Sequence, residues 1–332
     1  MNRREFLKKS AAAGAGVAVS STLGLSSSRA LGLGRSVTPQ EAGPDSSFHC
    51  KWGAFALPIG GQKIMEALLA LEQRVGRRFA IHRDYQGMDV DIISSDVIWL
   101  GNRGTIPYRS FHAWSGGKTH FISWAGIAAG KHDTWLKKQA AAVGAWGKPI
   151  YLSFHHEPEV WPQCGSPADF RAAWNHVRQI FHRVDNATWV VTLLSPTFYG
   201  NNGGPKAWLP SPANYDVLGV DGYNRYPCRG SSYTSFTDKF LAARNYALYQ
   251  VNKAMFIGET GCVEQNSCAH PQGDPTGKAK WIYNMANVIK SWPRVIAVNY
   301  SHVVSGKYAF WVDTSPSALA AYRTVGADPY FK

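Results

Sequence analysis

Several patterns that identify common protein classes are missing from this chain of 332 residues. It has no Gly-x-Ser-x-Gly elbow, which a serine hydrolase of the α/β type would need. The stretch "GIAAGKH" at 126–132 approaches a phosphate-binding loop, but its spacing is wrong and no Ser or Thr follows its lysine. No Cys-x-x-Cys or His-x-x-x-His spacing occurs either, so we expect no zinc site and no cofactor.

Acidic residues are scarce, with 22 Asp and Glu against 35 Lys and Arg, which gives a formal net charge of +13. The first 30 residues contribute +4 of this charge, so +9 remains on the rest of the chain. The basic residues are scattered and form no recognisable nucleic-acid module. We therefore expect no nucleic-acid partner and attribute the charge to solubility, or to attraction to anionic cell-wall polymers.

Long apolar runs are absent beyond the N-terminus. The chain opens with "MNRREFLKKS", in which Arg3 and Arg4 precede a short apolar stretch and a cleavage-like "SRA" ending at Ala30. This pattern predicts a twin-arginine export signal over residues 1–30, a linker over 31–47 and one domain over 48–332. The apolar part is diluted by Gly and Ser, which disfavours the alternative of an uncleaved membrane span. The mature protein is expected to be secreted or to lie in the cell envelope.

Cysteine is also infrequent, and the five residues present cannot all pair within one chain. Cys262 and Cys268 are close in sequence, so we expect them to close one loop, "CVEQNSC". Cys164 and Cys228 each follow a predicted strand, and a bridge between those two loops is a further hypothesis.

Short apolar segments alternate with helical patterns in a βα rhythm from about residue 48 onward. Eight units favour a single closed (β/α)8 barrel, because strands that are apolar throughout are buried on both faces. Residues 85–117 fit least well and hold one possible short strand, "DVIWL", within an elaborated loop. An open doubly wound sheet is the alternative, but "PIGG" after the first strand does not match its phosphate-binding turn. The predicted strands are Trp52–Ala56, Arg78–His82, His120–Trp124, Ile150–Phe154, Trp189–Leu194, Val217–Val220, Met255–Ile257 and Val295–Asn299.

Helices are predicted between these strands, most clearly at 61–76, 132–147, 166–184 and 276–292. The third of them opens with Ser166 as the N-cap, Pro167 at the first helical position and Asp169 in a capping box.

Two glutamates follow predicted strands and are the candidate catalytic residues. Glu157 lies in "YLSFHHEPEV", just past the fourth strand, and Glu259 lies in "MFIGETG", just past the seventh. In a barrel of parallel strands these C-terminal ends open onto one face, so both carboxyl groups should point into one mouth. A carboxyl pair suits glycoside hydrolysis, in which one group protonates the leaving oxygen and the other attacks or stabilises the anomeric carbon.

Aromatic residues are abundant, with 13 Trp, 15 Tyr and 15 Phe. Flat rings beside the carboxylates would supply platforms for the apolar faces of sugar rings, although each ring could equally well belong to the core. The candidates at strand ends or in the following loops are Trp124, Trp161, Tyr223, Tyr226 and Trp311.

The sequence resembles glycoside hydrolase family 26, whose members are retaining (β/α)8 enzymes best known as β-mannanases. The resemblance rests on Trp124 with "IAAGKHD", on "HHEPE", on "YDVLGVDGYN" and on "FIGETG", in the family's order. It implies that Glu157 is the acid/base and Glu259 the nucleophile, with His156 on the nucleophile's side and Tyr223 holding its carboxylate. Many family members have Met-Asn-Gly where this chain has Pro158-Glu159-Val160, a departure that bears on substrate preference.

Alternatives remain open for several polar residues. Glu159 could be the acid instead of Glu157 if the strand ran further, although Pro158 indicates that it has stopped. His155 and His156 beside glutamates invite a metal hypothesis, for which no third ligand stands at metal spacing. Asp221 could support the site from behind or only satisfy hydrogen bonds at a strand end.

The sequence thus predicts an exported, monomeric, retaining endo-glycosidase that acts on β-mannan without a metal. Xylan, mixed-linkage glucan and a cell-wall polymer are alternative polysaccharide substrates. A carbohydrate-binding barrel without turnover is the alternative from another functional class.

Overall fold

The computed structural model describes residues 49–194, 199, 204–229, 232–264 and 276–332. Eight parallel strands close into one barrel, in which each strand pairs with its neighbours in sequence and the eighth pairs with the first. The fold is therefore a (β/α)8 barrel, as the βα rhythm predicts. The barrel strands are β1 Lys51–Ala56, β2 Ile81–Gly87, β3 Ile106–His112, β4 Ile150–Phe154, β5 Ala187–Leu194, β6 Val217–Asn224, β7 Ala254–Cys262 and β8 Val295–His302.

Helices surround the barrel and cover its outer face with apolar side chains. They are α1 Ile64–Val75, α2 Ser95–Asn102, α3 Trp124–Ala128, α4 Asp133–Trp146, α5 Pro167–Ile180, α6 Gly204–Trp208, α7 Phe236–Asn245, α8 Gly277–Ser291 and α9 Pro316–Ala327. Short hairpins follow two of the strands, Trp114–Ser115 with His120–Phe121 after β3, and Val304–Ser305 with Tyr308–Ala309 after β8. In the described ranges no helix is both long enough and apolar enough to cross a membrane.

The prediction of a barrel strand at His120–Trp124 is wrong. The third strand is Ile106–His112, whereas His120–Phe121 forms only one arm of the hairpin and Trp124 begins α3. The segment "DVIWL" is likewise helical, within α2. Both errors arise because composition alone does not decide secondary structure. The residues of β3 that line the upper barrel are polar, so the segment lacks the apolar pattern of a buried strand. The apolar face of α2, in contrast, has a composition typical of a strand.

A layer of apolar side chains closes the lower part of the barrel. Tyr108 of β3 contacts Phe256 of β7, with 4.8 Å between ring centres, and Tyr151 of β4 contacts Phe256 at 5.1 Å. These strands are not neighbours in the barrel, so the contacts cross its interior. The interior is a packed core and not a pore, and polar chemistry is confined to the upper end.

The predicted start of α5 is confirmed. The hydroxyl of Ser166 accepts a hydrogen bond from the backbone N–H of Asp169 at 3.2 Å, and the Asp169 carboxylate accepts one from the N–H of Ser166 at 2.9 Å. With Pro167 at the first helical position, this reciprocal cap fixes where the chain turns away from the loop that follows β4.

Both proposed disulfide pairings are wrong. Cys262 and Cys164 are free thiols, each buried beside a backbone carbonyl oxygen, of Val263 at 3.3 Å and of Ala113 at 3.7 Å. Cys228 is in a disulfide whose partner lies outside the described residues. Cys268 also lies outside the described residues. Cys262 is the last residue of β7, where its side chain is packed into the core, so it cannot close the loop that follows.

Candidate active site

A β-bulge in β7 turns Glu259 toward the barrel interior. Asp221 of β6 pairs with Glu259 while its neighbour Val220 pairs with Ile257, so Gly258 is an extra residue in the strand. Strict alternation would place Phe256 inside, Ile257 outside and Glu259 outside as well. The bulge reverses this order and brings Glu259 inside. A side chain at Gly258 would collide with Asp221, 2.5 Å from its ideal Cβ position, so only glycine fits there.

Four side chains surround the Glu259 carboxylate. The Tyr85 hydroxyl donates to Oε1 and the Tyr223 hydroxyl donates to Oε2, both at 2.5 Å. The Arg83 guanidinium lies 3.4 Å from Oε1, and His156 Nε2 lies 3.6 Å from the same oxygen. Two hydroxyl donors and one permanent cation therefore contact the carboxylate of Glu259 and hold it in one orientation, as a nucleophile requires.

Glu157 stands in a strained turn immediately after β4. Its φ is 50° and that of His155 is 48°, both in the left-handed region that side chains other than glycine rarely adopt. Each such residue costs about 1–3 kcal/mol, and the surrounding structure must hold it in place. The N–H of His155 donates to Phe111 O at 2.8 Å, and the N–H of Glu157 donates to Thr192 O at 2.9 Å. These bonds to β3 and β5 fix the turn between its neighbouring strands.

The environment of Glu157 favours its protonated form. Burial raises the pKa of Glu157 well above its usual range, and the nearby carboxylates of Glu259 and Glu159 raise the pKa further. Burial also raises the pKa of Glu159 to about 7. Glu159 Oε1 accepts a hydrogen bond from the N–H of Leu194, at the end of β5. Glu159 is therefore tied to the scaffold, which supports Glu157 over Glu159 as the acid.

Arg83 occupies the centre of the site between two acidic side chains. Its guanidinium lies 3.5 Å from Asp221 and 3.4 Å from Glu259, and it rests 4.2 Å above the centre of the Tyr108 ring in the closing layer. Asp221 is fully buried and stands behind the site, and burial raises its pKa well above the usual range. Asp221 therefore supports the site through Arg83.

One group of possible metal ligands occurs in the described part of the chain. Atoms of His156, Asp221 and Glu259 lie within 4.8 Å of one another. Arg83 already forms ion pairs with both carboxylates of this group, so a cation is in place without a metal. His155 does not belong to the group, because its Nδ1 accepts hydrogen bonds from Ala113 N and Trp124 Nε1, both at 3.1 Å. The expectation that no metal is needed stays a prediction.

The predicted aromatic residues do not all lie at the cleft. Trp124 is fully buried between His155 and Phe170, where its ring packs in the core and has no surface free for a sugar. Trp161 lies in the turns after Glu157 and packs against Trp114, with 5.0 Å between ring centres. Phe121 of the hairpin after β3 stands 6.1 Å from the Trp161 ring and is 44% exposed. Trp161 thus belongs to an aromatic wall beside the proposed acid.

The loop after β8 forms a second wall. Trp311 is half-buried in it, and Phe310 packs on the ring of Tyr223, with 4.6 Å between ring centres. Buried Lys278 of α8 donates to the carbonyl oxygens of Ala309 at 3.2 Å and Trp311 at 2.6 Å, which holds the loop in place. Tyr226, also half-buried, follows β6. The loop therefore packs through Phe310 against Tyr223, whose hydroxyl contacts Glu259.

Sequence reasoning missed Arg83 and Tyr85 because it ended the second strand at His82. The strand continues to Gly87, and Ile81, Arg83 and Tyr85 alternate on its inner face. The signal was the period of two in "IHRDYQG", which polar residues concealed.

The chain shares the fold of several solved β-mannanases. A GH26 endo-β-1,4-mannanase catalytic domain from Bacillus sp. JAMB-750 aligns with a TM-score of 0.61 at 15% identity, over 86% of this chain and 87% of that one. A GH26 β-mannanase from Bacteroides ovatus aligns with a TM-score of 0.58 at 13% identity, over 86% and 90% of the two chains. These neighbours confirm the resemblance to glycoside hydrolase family 26 at the level of the fold.

One curated relative is similar in sequence. Endoglucanase H of Acetivibrio thermocellus is 27% identical over 268 aligned residues, which cover 74% of this chain and 28% of the relative. The chain thus spans little more than a quarter of that protein's length. No protein-family model matches the chain.

Proposed function

We propose that the chain is a retaining endo-glycosidase that hydrolyses a β-linked polysaccharide, with β-1,4-mannan as its first candidate substrate. The proposal rests on one observation: two carboxyl groups at the C-terminal end of the barrel have different environments. Two tyrosine hydroxyls and Arg83 contact the Glu259 carboxylate. Burial and neighbouring carboxylates raise the pKa of Glu157. Acid-assisted glycosyl transfer requires one carboxyl group that can donate a proton and a second that is positioned to attack.

The reaction follows from these two roles. Glu157 gives its proton to the glycosidic oxygen while Glu259 attacks the anomeric carbon, which releases the leaving sugar and forms a glycosyl-enzyme ester. Glu157, now ionised, takes a proton from water, and this water displaces Glu259 to restore the original anomeric configuration. The hydroxyls of Tyr85 and Tyr223 keep the attacking carboxylate in one orientation.

A second candidate substrate is a β-glucan. The similar curated protein is called an endoglucanase, and all the mannanases named above are more distant in sequence. The departure Pro158-Glu159-Val160 directly after the acid, where many family members have Met-Asn-Gly, supports a substrate other than mannan. Xylan and other cell-wall polymers remain within the same reaction class.

The test of the proposed function is reducing-sugar release from a panel of soluble β-mannans, xylans and glucans. We expect turnover of at least one polymer, in chelator as well as without it, and a product of retained configuration by NMR. An inverted product would contradict the proposed role of Glu259. Binding of a polymer with no turnover on the whole panel would instead favour a carbohydrate-binding barrel.

We also propose that the protein is exported by the twin-arginine route. The support is the sequence of residues 1–30, which lie outside the described part of the chain. Replacing both Arg3 and Arg4 with lysine should leave precursor in the cytoplasmic fraction, because that route reads the arginine pair. Mature-sized protein outside the cytoplasm in the variant would refute the route, and Lys8→Arg with Lys9→Arg is the matched control.

The pH dependence of turnover should respond to Glu159. Its negative charge raises the pKa of Glu157, so Glu159→Gln removes that effect and lowers the pKa. Glu157 must be protonated for the first step, and activity is lost as pH rises through its pKa. We therefore expect the alkaline limb of the kcat/KM profile to move to lower pH in the variant, while the glutamine still accepts the bond from Leu194.

The control for this shift is Asp185→Asn, which removes an exposed carboxylate just before the N-terminal end of β5, at the opposite end of the barrel. Its profile should match that of the wild type. An alkaline limb that stays in place in Glu159→Gln would show that Glu159 does not act on the acid.

A further inference from the structure

Arg225 lies at the mouth of the barrel, directly after β6. Its guanidinium carbon is 5.1 Å from the centre of the Tyr223 ring and 5.6 Å from that of Tyr308. The hydroxyl of Tyr223 donates to Glu259. The cation therefore stands one aromatic ring away from the proposed nucleophile, between the end of β6 and the loop after β8.

Among the described residues, the guanidinium of Arg225 forms no ion pair. Within the described ranges no carboxylate oxygen lies within 4 Å of its guanidinium, although the side chain is half-buried. Arg83, Arg103 and Arg109, by contrast, are each paired with an Asp or Glu. Burial raises the pKa of Glu157, and the charge of Arg225 opposes part of this rise, so its field reaches the reacting groups. A half-buried guanidinium that has no anionic partner in the described ranges is available to bind the carboxylate of a ligand.

A second cation stands on the opposite wall of the mouth. Lys118 Nζ lies 4.7 Å from the Trp114 ring centre and 5.7 Å from that of Trp161. The turn that carries it has three successive residues in the left-handed region, Gly116, Gly117 and Lys118, with φ of 58°, 62° and 76°. Such a conformation is unfavourable for lysine, so the structure holds this ammonium over the aromatic wall against a conformational cost. Burial lowers the pKa of His155 and His156, next to Glu157, and the field of Lys118 adds to that lowering.

Cations paired with aromatic rings suit a particular kind of sugar polymer. The rings stack on the apolar faces of pyranoses, while a guanidinium binds a planar carboxylate through two parallel hydrogen bonds. The hydroxyls of a neutral polysaccharide can accept hydrogen bonds from Arg225 but supply no negative charge to pair with it. A polymer with carboxylate groups would be attracted to the mouth and would also satisfy this side chain.

We propose that the substrate is a β-glycan that carries carboxylates, as uronic acid residues or acidic substituents, and that Arg225 binds one of them. The proposal rests on the proposed function and replaces its first candidate, neutral β-1,4-mannan, with an acidic β-glycan. It also accounts for the excess of basic residues, since the net charge of +9 on residues 31–332 attracts a polyanion to the surface.

The test measures equilibrium binding by calorimetry in a Glu157→Gln background, so that no ligand is consumed. The probes are a β-linked oligosaccharide that contains glucuronic acid and the same oligosaccharide after chemical reduction of its carboxyl groups. We expect the acidic probe to bind about tenfold to a hundredfold more tightly than the reduced one, as a charge-assisted hydrogen-bonded pair would give. Arg225→Gln should abolish this preference without weakening binding of the reduced probe, and Arg225→Lys should restore part of it. Arg229→Gln, which removes an exposed arginine of the same loop, is the control and should keep the full preference.

Equal affinity of the wild-type site for both probes would overturn the proposal, and so would a preference that persists in Arg225→Gln. Turnover of a neutral glycan on the panel with no preference in binding would overturn the acidic substrate and leave the glycosidase. A preference that depends on Arg225 without turnover of any glycan would support the carboxylate site and refute the proposed function.

Discussion

Replacing Glu259 with alanine is expected to lower kcat by about 10⁴-fold or more, because the covalent step then has no nucleophile. Glu157→Ala should lower kcat by about 10²-fold to 10⁴-fold on substrates whose leaving group needs a proton. The loss should be much smaller for an aryl glycoside with an acidic phenol, because such a leaving group departs without protonation. The measurement is steady-state kinetics on both kinds of substrate, with thermal melting to verify that each variant is folded.

Azide separates the two roles. In Glu259→Ala, azide can enter from the side of the missing carboxylate and displace the leaving group, which gives a glycosyl azide of inverted configuration. In Glu157→Ala the glycosyl-enzyme still forms from an activated substrate, and azide replaces water in the second step, so the azide product keeps the original configuration. Interchanged products would reverse the assignment. If azide rescued Glu159→Ala and did not rescue Glu157→Ala, the general acid would be Glu159.

The barrel and both glutamates could be predicted because local signals agree with the fold around them. In β4 the apolar run ends at Phe154 and Pro158 follows, so the sequence alone predicts that Glu157 lies just after the end of a strand. In β7, by contrast, the strand continues through Gly261 to Cys262, so Glu259 lies within the strand and the glycine turn expected after it is wrong. Strand order in the closed barrel then brings the carboxyl ends of β4 and β7 to one face.

The orientation of Glu259 is a different matter. Alternation along β7 gives the wrong face, and the bulge at Gly258 that corrects it depends on pairing with both β6 and β8. Nothing in the local pattern shows that bulge except the glycine itself. The contacts of Glu259 follow from the same tertiary register. The period of two in "IHRDYQG" can place Tyr85 on a strand face but does not show its contact with Glu259, whereas the contact of Tyr223 is implied by the resemblance.

The third strand shows the limit of hydrophobic patterning. The segment "IPYRSFH" holds a proline, an arginine and a histidine, yet it is buried along most of its length, because Arg109 pairs with Asp84 and bonds to Ser94 outside the barrel. The more apolar "HFISW" looks like a better strand but forms a hairpin arm and a helix start. Polar groups can be buried in a strand only where other elements supply hydrogen-bond or ion-pair partners. The sequence of a single segment does not reveal those partners.

Arg83→Met is expected to lower the free energy of unfolding by about 3–5 kcal/mol, because it leaves the buried carboxyl of Asp221 without its cation. The methionine keeps the apolar contact with Tyr108 but removes the charge that lowers the pKa of Asp221. The pKa of Asp221 in the folded protein then rises further above that of the unfolded chain. Because the folded state would hold a proton that the unfolded state releases, stability should fall as pH rises, and the penalty should be larger at pH 8 than at pH 5.

A second substitution shows whether charge is the cause. Asp221→Asn in the Arg83→Met background removes the uncompensated carboxyl and should recover part of the lost stability and flatten its pH dependence, as a double-mutant cycle of denaturant unfolding would measure. Turnover should not recover, because Glu259 still lacks the guanidinium 3.4 Å from its Oε1. Recovery of stability without recovery of turnover would show that Arg83 has two separate roles. It pairs with Asp221 in the barrel interior, which affects stability, and it orients Glu259, which affects turnover. A penalty in Arg83→Met that is independent of pH and insensitive to Asp221→Asn would instead assign the loss to packing in the barrel interior.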